Sequence, residues 1–268
     1  MAFTTVQGAT ATDAVTLTGT SGQDIATITT QSSGLFLDAK EADDSITFSE
    51  SGANYNARGM DGDDTYIANA ELTNSTVNGN VGNDAITAQA TISGTLLYGG
   101  KGIDNITAST LDLASALYGN IGNDIITVTT GMTAGSNVYG GKNEDIITIG
   151  GEIDASSIFG DIGNDVINFN SATLNAGSVV NGGQDNDVIT LAGVNTFDNA
   201  SSVFGGQGND TINAANSNGN VRAFGDLDND TITSGAGADV LTGGAGGDSL
   251  TGGTGTDILL GEDGVDTL

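Results

Sequence analysis

The chain contains no cysteine, histidine, tryptophan or proline, and only 5 lysines and arginines stand against 34 aspartates and glutamates in its 268 residues. Each absence closes a class of function. Without cysteine there are no disulfides or thiolate metal centres, and without histidine the nitrogen ligands that zinc and copper favour are missing too. A net charge of -29 repels phosphate backbones and anionic lipid surfaces, so nucleic acid is not an expected partner. No stretch approaches the roughly 20 apolar residues of a membrane span, so membrane insertion is not expected either. Met1 to Thr18 has neither the basic start nor the apolar run of a cleavable secretory signal. Zero cysteine suits an oxidising exterior. No catalytic constellation stands out, because Ser and Lys are scattered, Arg58 and Arg222 lie far apart, and the carboxylates fall in repeating loops. The chain is not expected to be an enzyme.

What is abundant is glycine, 43 residues of it, in a repeating frame. The loop Gly79-Asn80-Val81-Gly82-Asn83-Asp84 is followed by Ala85-Ile86-Thr87, and the same pattern returns as Gly119-Asn120-Ile121-Gly122-Asn123-Asp124 followed by Ile125-Ile126-Thr127. Its sixth-position aspartates are Asp24, Asp44, Asp64, Asp84, Asp104, Asp124, Asp145, Asp165, Asp187, Asp210 and Asp230, spaced 20 to 23 residues apart. The step then shortens to 9, giving Asp239, Asp248, Asp257 and Asp266. At the fourth position stands glycine or a residue such as Asn143, Asp185 or Asp228, which tolerates positive φ, so a left-handed turn is expected there.

Apolar and polar residues alternate after each aspartate, as in Ile147-Thr148-Ile149, and again before each loop, as in Ser156-Ser157-Ile158-Phe159. Two short strands and two turns of this kind cannot bury an apolar face alone, but stacked coils can. One core column would run Ile86, Ile106, Ile126, Ile147, Ile167, Ile189, Ile212 and Ile232, facing Leu97, Leu117, Val138, Ile158, Val180 and Val203. The fold class expected is all-β, a right-handed parallel β-solenoid of about 13 coils with two short strands per coil, forming a rod on the order of 60 Å long. Residues 1–18 would be an N-terminal coil or cap, 19–233 the long-coil solenoid, and 234–268 a tighter roll continuing the same rod.

Stacking places the aspartates in a column at one strand spacing, where like charges repel. A cation between coils removes the repulsion, and calcium suits an all-oxygen site built from carboxylates and the carbonyls of a glycine-rich loop. The candidate ligands are Asp24, Asp64, Asp84, Asp104, Asp124, Asp145, Asp165, Asp187, Asp210, Asp230, Asp239, Asp248, Asp257 and Asp266. Asp44 is set aside because its loop, Ala39 to Asp44, lacks glycine. Candidate carbonyl donors are Gly79, Gly82, Gly99, Gly102, Gly119, Gly122, Gly160, Gly163, Gly205, Gly208, Gly243, Gly246, Gly252 and Gly255. The alternative is that these aspartates cap their own turns without metal. At position five, Asn83, Asn123, Asn164, Asn186, Asn209 and Asn229 would form a stacked amide ladder or lend loop carbonyls.

Gly243-Gly244-Ala245-Gly246-Gly247-Asp248-Ser249-Leu250-Thr251 and Gly252-Gly253-Thr254-Gly255-Thr256-Asp257-Ile258-Leu259-Leu260 resemble the Gly-Gly-x-Gly-x-Asp nonapeptide of RTX calcium-binding proteins. The resemblance implies a β-roll in which two nonapeptides make one coil, with calcium between loops on both edges, and a chain exported unfolded that folds in external calcium, hence an extracellular or cell-surface location reached by a route without a cleavable N-terminal signal. Residues 19–233 keep such a loop on one edge only. Asp210, Asp230, Asp248 and Asp266 would continue that edge, while Asp239 and Asp257 open a second. Edge one then has 13 aspartates and 12 gaps and edge two has 2 and 1, so up to about 13 calcium ions would take the charge from -29 to -3. Folding is expected to be coupled to metal binding.

Two outward columns remain. Tyr98, Tyr118, Tyr139, Phe159, Phe204 and Phe224, interrupted by Asn181, form a candidate interaction surface for a neighbouring rod or a sugar, or a ladder that shields strand ends. Thr87, Thr107, Thr127, Thr148 and Thr190 resemble the hydroxyl arrays of ice-binding solenoids, but position three carries Val81, Lys101, Ile121, Lys142, Ile162 and Gln184 where RTX ice-binders carry Thr. An open terminal strand near Leu268 would favour self-association or a cell-surface or assembly partner. The function expected is an extracellular structural or adhesive repeat protein of a surface layer, filament or appendage. Glycan binding, ice binding or a virion fibre are the alternatives.

Overall fold

The alternation after each loop makes a four-residue strand, such as Ala85–Ala88, with Ile86 and Ala88 inside and Thr87 outside. The segment before each loop makes a longer strand, such as Thr76–Val81, that runs on into the loop itself. Neither length is stable alone, and each is held by its neighbours along the rod. The computed structural model describes residues 16–29, 33–170, 173–191, 196–198 and 200–268. Within them, equivalent strands of successive coils pair in parallel and in register, as in Ile86 with Ile106 and Leu97 with Leu117. A 13-stranded sheet running from Thr16–Thr18 to Ile258–Gly264 forms one face of a parallel β-solenoid of about twelve turns. No helix occurs among the described residues. Of the expected N-terminal cap, residues 1–15 lie outside the described residues.

Both expected core columns are buried throughout, from Ile86 to Ile232 on one side and from Leu97 to Val203 on the other. The coil differs from the two-strand expectation, however, because a third strand of two or three residues occupies what reads in sequence as a variable turn. Leu72–Thr73, Ile92–Ser93 and Glu152–Asp154 are examples. They join the second sheet, and in two coils the second and third strands are continuous, as Asn105–Asp112 and Ile125–Met132. This strand adds a third core column, Leu72, Ile92, Leu111, Met132, Ile153, Leu174 and Phe197, all buried. Where the column reaches Gly52 it lacks a side chain, and the space is filled by the ring of Tyr55.

Most loops carry two left-handed positions where one was expected. The fourth position has positive φ at Asn143, Asp185 and Asp228, at 83°, 76° and 75°. The second position does as well, at Asn80, Asn120 and Asp161, and even at Lys40 and Met60, with φ of 87° and 81°. A lysine or methionine held there costs of order 1 kcal/mol or more, which the stacking of neighbouring coils must offset.

Candidate metal edge

The loops sit at one edge of the solenoid, between the long strand and the four-residue strand. There the sixth-position aspartates form one continuous ladder. The backbone N–H of each donates to Oδ1 of the next, from Asp24 through Asp44, Asp64, Asp84, Asp104, Asp124, Asp145, Asp165, Asp187, Asp210, Asp230 and Asp248 to Asp266, at 2.6 to 3.0 Å. Asp24 through Asp248 are buried, while Asp266, in the last coil, is half-buried. A shorter ladder at the opposite edge takes Val221 N–H to Asp239 Oδ1 at 2.7 Å and Asp239 N–H to Asp257 Oδ1 at 3.0 Å.

The second carboxylate oxygen has no such partner. Oδ2 of Asp44, Asp64, Asp84, Asp104, Asp124, Asp145, Asp165, Asp187, Asp210, Asp230, Asp239 and Asp248 is buried without a hydrogen bond. An ionised oxygen left this way is expensive. Burial accordingly pushes the carboxyls of Asp145 and Asp187 up to about 8 from 3.8, those of Asp64, Asp84, Asp165 and Asp230 to about 7, and those of Asp44, Asp104, Asp124 and Asp210 to about 6. The inter-coil hydrogen bond opposes this rise, and neighbouring aspartates of the ladder add to it at Asp64, Asp84, Asp145, Asp187 and Asp230. Asp24 differs, since its Oδ2 caps its own turn, accepting from Thr20 N–H at 2.5 Å and Thr20 Oγ1 at 3.1 Å, and it is Oδ1 that is left buried without a partner.

Position-one glycines keep the space around Oδ2 open. A Cβ on Gly79 would collide with Asp84 Oδ2 and lie 2.6 Å from the carbonyl oxygen of Gly99 in the next coil. Gly119, Gly160, Gly182, Gly205 and Gly225 repeat this arrangement with Asp124, Asp165, Asp187, Asp210 and Asp230. Each of these coils therefore gathers an unpartnered carboxylate oxygen and a carbonyl oxygen of the next loop around a glycine. Among the described residues no three carboxylates converge on one point, so an ion here must draw further oxygens from loop backbone. That donor set is all oxygen, part charged and part carbonyl, which fits calcium. In the loop Ala39 to Asp44 alanine takes position one, and the cradle is filled.

Outside the cradle, position five forms its own ladder in the opposite sense. Asn83 N–H donates back to Asp63 at 2.7 Å, Asn186 to Asn164 at 3.0 Å, Asn209 to Asn186 at 2.7 Å and Asn229 to Asn209 at 3.1 Å. The far edge holds a feature that sequence reasoning missed. Along residues 55–201 its aspartate position is taken by hydroxyls, with Tyr55 N–H donating to Ser75 at 3.0 Å, Ser75 to Thr95 at 3.2 Å, Thr95 to Ser115 at 3.1 Å and Ser178 to Ser201 at 3.1 Å. These hydroxyls also donate to carbonyls, Ser115 to Asp112 O at 2.7 Å and Ser178 to Asn175 O at 2.6 Å, so none is left unsatisfied. The signal was a Ser or Thr recurring before each long strand.

The aromatic residues lie half-buried on the outer face of the 13-stranded sheet. Tyr98, Tyr118, Tyr139 and Phe159 stack with centroids 4.7, 4.8 and 5.2 Å apart, and Phe204 stacks on Phe224 at 4.9 Å beyond the gap at Asn181. The Thr column faces outward from the second sheet and is broken by Ile67, Asn168 and Asn213.

Comparison with known proteins agrees with this geometry. The chain superposes on a hyperactive, Ca2+-dependent, β-helical antifreeze protein from an Antarctic bacterium with a TM-score of 0.57 and 19% identity, covering 98% of this chain and 86% of that one. At that identity the likeness shows the fold. Among curated protein sequences none matches. A family model for the RTX calcium-binding nonapeptide repeat matches in four copies, over residues 198–221, 204–241, 217–250 and 234–268. The C-terminal part of this solenoid, residues 198–268, is thus built of RTX calcium-binding nonapeptide repeats.

Proposed function

We propose that the chain is an extracellular structural or adhesive repeat protein whose rod is folded and stiffened by calcium along one edge for most of its length. The observation that carries this reading is the column of buried, unpartnered Oδ2 atoms, which continues beside open glycine cradles from the RTX repeats back to Asp64. The ligands would be those oxygens, together with Asp24 through its unpartnered Oδ1, Asp257, Asp266 and the loop carbonyls around each glycine. Calcium supplies the positive charge that the ladder lacks, and the chain's own residues supply the register, the cradle and the exclusion of water. A stiff rod whose carboxylates are committed to this column has the chemistry of a scaffold rather than a catalyst, which supports a place in a surface layer, filament or appendage. Small-angle scattering and electron microscopy in millimolar calcium and after chelation test the reading. A rod on the order of 60 Å that expands to a disordered chain on chelation supports it. A rod of unchanged shape in both conditions overturns it.

Ice binding is a second reading, favoured by the Ca2+-dependent antifreeze protein that shares the fold. The interruptions of the Thr column at Ile67, Asn168 and Asn213 weigh against it, and an ice-hysteresis measurement on the calcium-loaded chain decides it.

A further inference from the structure

All five cations of this chain lie in strands of the 13-stranded sheet: Lys40, Arg58, Lys101, Lys142 and Arg222. Arg58 and Arg222, towards the two ends, lie over the rings of Phe36 and Phe224 at 5.5 and 5.2 Å. Lys101 and Lys142 are exposed, and among the described residues neither has an ion-pair partner. They share one column with Ile121 between them and Ile162 beyond. Ile121, Lys142 and Ile162 of this column form one wall of a groove of about 640 Å³, whose other wall is Tyr118 and Tyr139 and whose floor is Asn120 and Gly141, and Lys101 continues that wall one coil beyond Ile121.

The aromatic wall has a particular polarity. Interplanar angles of 11°, 5° and 9° show that the rings cover each other's faces, so the groove meets ring edges. Ring edges carry the positive part of the aromatic quadrupole, and three of these four rings end in a tyrosine hydroxyl. In a chain of net charge -29, this groove and the coil beside it therefore set two free ammonium groups, ring edges and hydroxyl donors along the rod axis. It ends at Asp161, a carboxylate that burial pushes up, next to the break at Asn181.

We propose that this groove binds a linear anionic polysaccharide lying parallel to the rod. An extended glycan advances by about one coil step per sugar, and Lys101 and Lys142 are two coils apart, roughly 10 Å. Acid groups on alternate sugars then meet successive lysines, while sugar hydroxyls meet the tyrosines and the Asn120 amide. A second copy docking through the same groove would set lysine against lysine, which puts an anionic glycan ahead of self-docking. The inference goes beyond the calcium reading and rests on it to keep the rod folded and to offset the charge of -29 that would otherwise repel an anion.

The test uses the full calcium-loaded chain at fixed free calcium, titrated with a hyaluronan octasaccharide, whose carboxylates fall on alternate sugars, and with a neutral N-acetylated chito-oligosaccharide of equal length. Tyrosine ring resonances report the site. Hyaluronan binding that shifts these resonances, weakens roughly tenfold or more in K101E/K142E and holds in K40E supports the proposal. Circular dichroism in calcium confirms the variant's fold, and K101Q/K142Q replaces it if reversal of charge prevents folding. Equal binding of the neutral chain, hyaluronan affinity indifferent to the double variants of Lys101 and Lys142, absence of binding, or an effect of these lysines on self-association alone overturns it. A loss of calcium-dependent folding in the unmodified chain would instead count against the calcium reading.

Discussion

The two edges of this solenoid solve the same backbone problem with different atoms. At both, an N–H at the entrance to a strand donates to a side-chain oxygen one coil along: a carboxylate at the aspartate edge, as from Asp104 to Asp124 at 2.8 Å, and a hydroxyl at the far edge, as from Thr95 to Ser115 at 3.1 Å. The hydroxyl completes its bonding by donating to a carbonyl, so the far edge is neutral and self-sufficient. A carboxylate has no proton to donate, so its second oxygen is stranded inside the protein. Glycines leave room beside that oxygen at one edge, while the hydroxyl edge has no equivalent need. On the calcium reading proposed above, metal dependence would be set by one atom per coil. The far edge changes character at Asp239, where the short repeats replace hydroxyl with carboxylate.

The comparison breaks most visibly with pH. Folding without metal raises the carboxyls of the aspartate edge from 3.8 to between about 6 and about 8, so the folded form holds more protons than the unfolded chain across that interval. Their contribution is fully present below about pH 4 and is lost as pH rises through 6 to 8. Thermal melts in chelator should therefore show falling stability from pH 4.5 to pH 8. With calcium bound the trend reverses, because ions and protons compete for the same oxygens. A metal-free chain that gains stability over this range would contradict the account.

Next in size is an exchange between the edges. Ser115→Asp places a carboxylate at the far edge without a glycine cradle, and should cost about 3 to 5 kcal/mol in denaturant unfolding even in saturating calcium. Recovery by calcium would mean that the edges are equivalent. Gly119→Ala fills the cradle of Asp124 and presses on the carbonyl of Gly140. It should remove one ion from the bound count and cost about 2 to 3 kcal/mol, and an unchanged count would show that the cradle holds no metal. The smallest effect belongs to Ser178→Ala, which removes the acceptor of Ser156 N–H and should cost about 1 to 2 kcal/mol with calcium binding untouched.

Much of this was legible in the sequence because its physics is periodic. An aspartate every 20 residues after a left-handed turn, followed by Ile-Thr-Ile, specifies a loop, a strand and a stacking direction together. The third core column was hidden because most of its residues, Leu72, Ile92, Ile153, Leu174 and Phe197, sit in strands of two or three residues inside segments whose length drifts, while Leu111 and Met132 lie at the far ends of longer strands. Periodicity of two cannot be seen in two residues. The hydroxyl ladder escaped for a different reason, since Ser and Thr are ordinary in turns and only their stacking gives them a common role. Positive φ at position two was masked by Lys40 and Met60, residue types that do not advertise it.

The central claim is that calcium lines the aspartate edge well beyond the recognised repeats, and counting ions on the folded chain tests it most directly. Equilibrium dialysis with elemental analysis, on protein whose strand signal is followed by circular dichroism, should give close to one ion per open gap, up to 13. Chelation should remove them together with the strand signal. A count of four or fewer would match only the three gaps between Asp210 and Asp266 and the one between Asp239 and Asp257, confining calcium to residues 198–268 and contradicting the account.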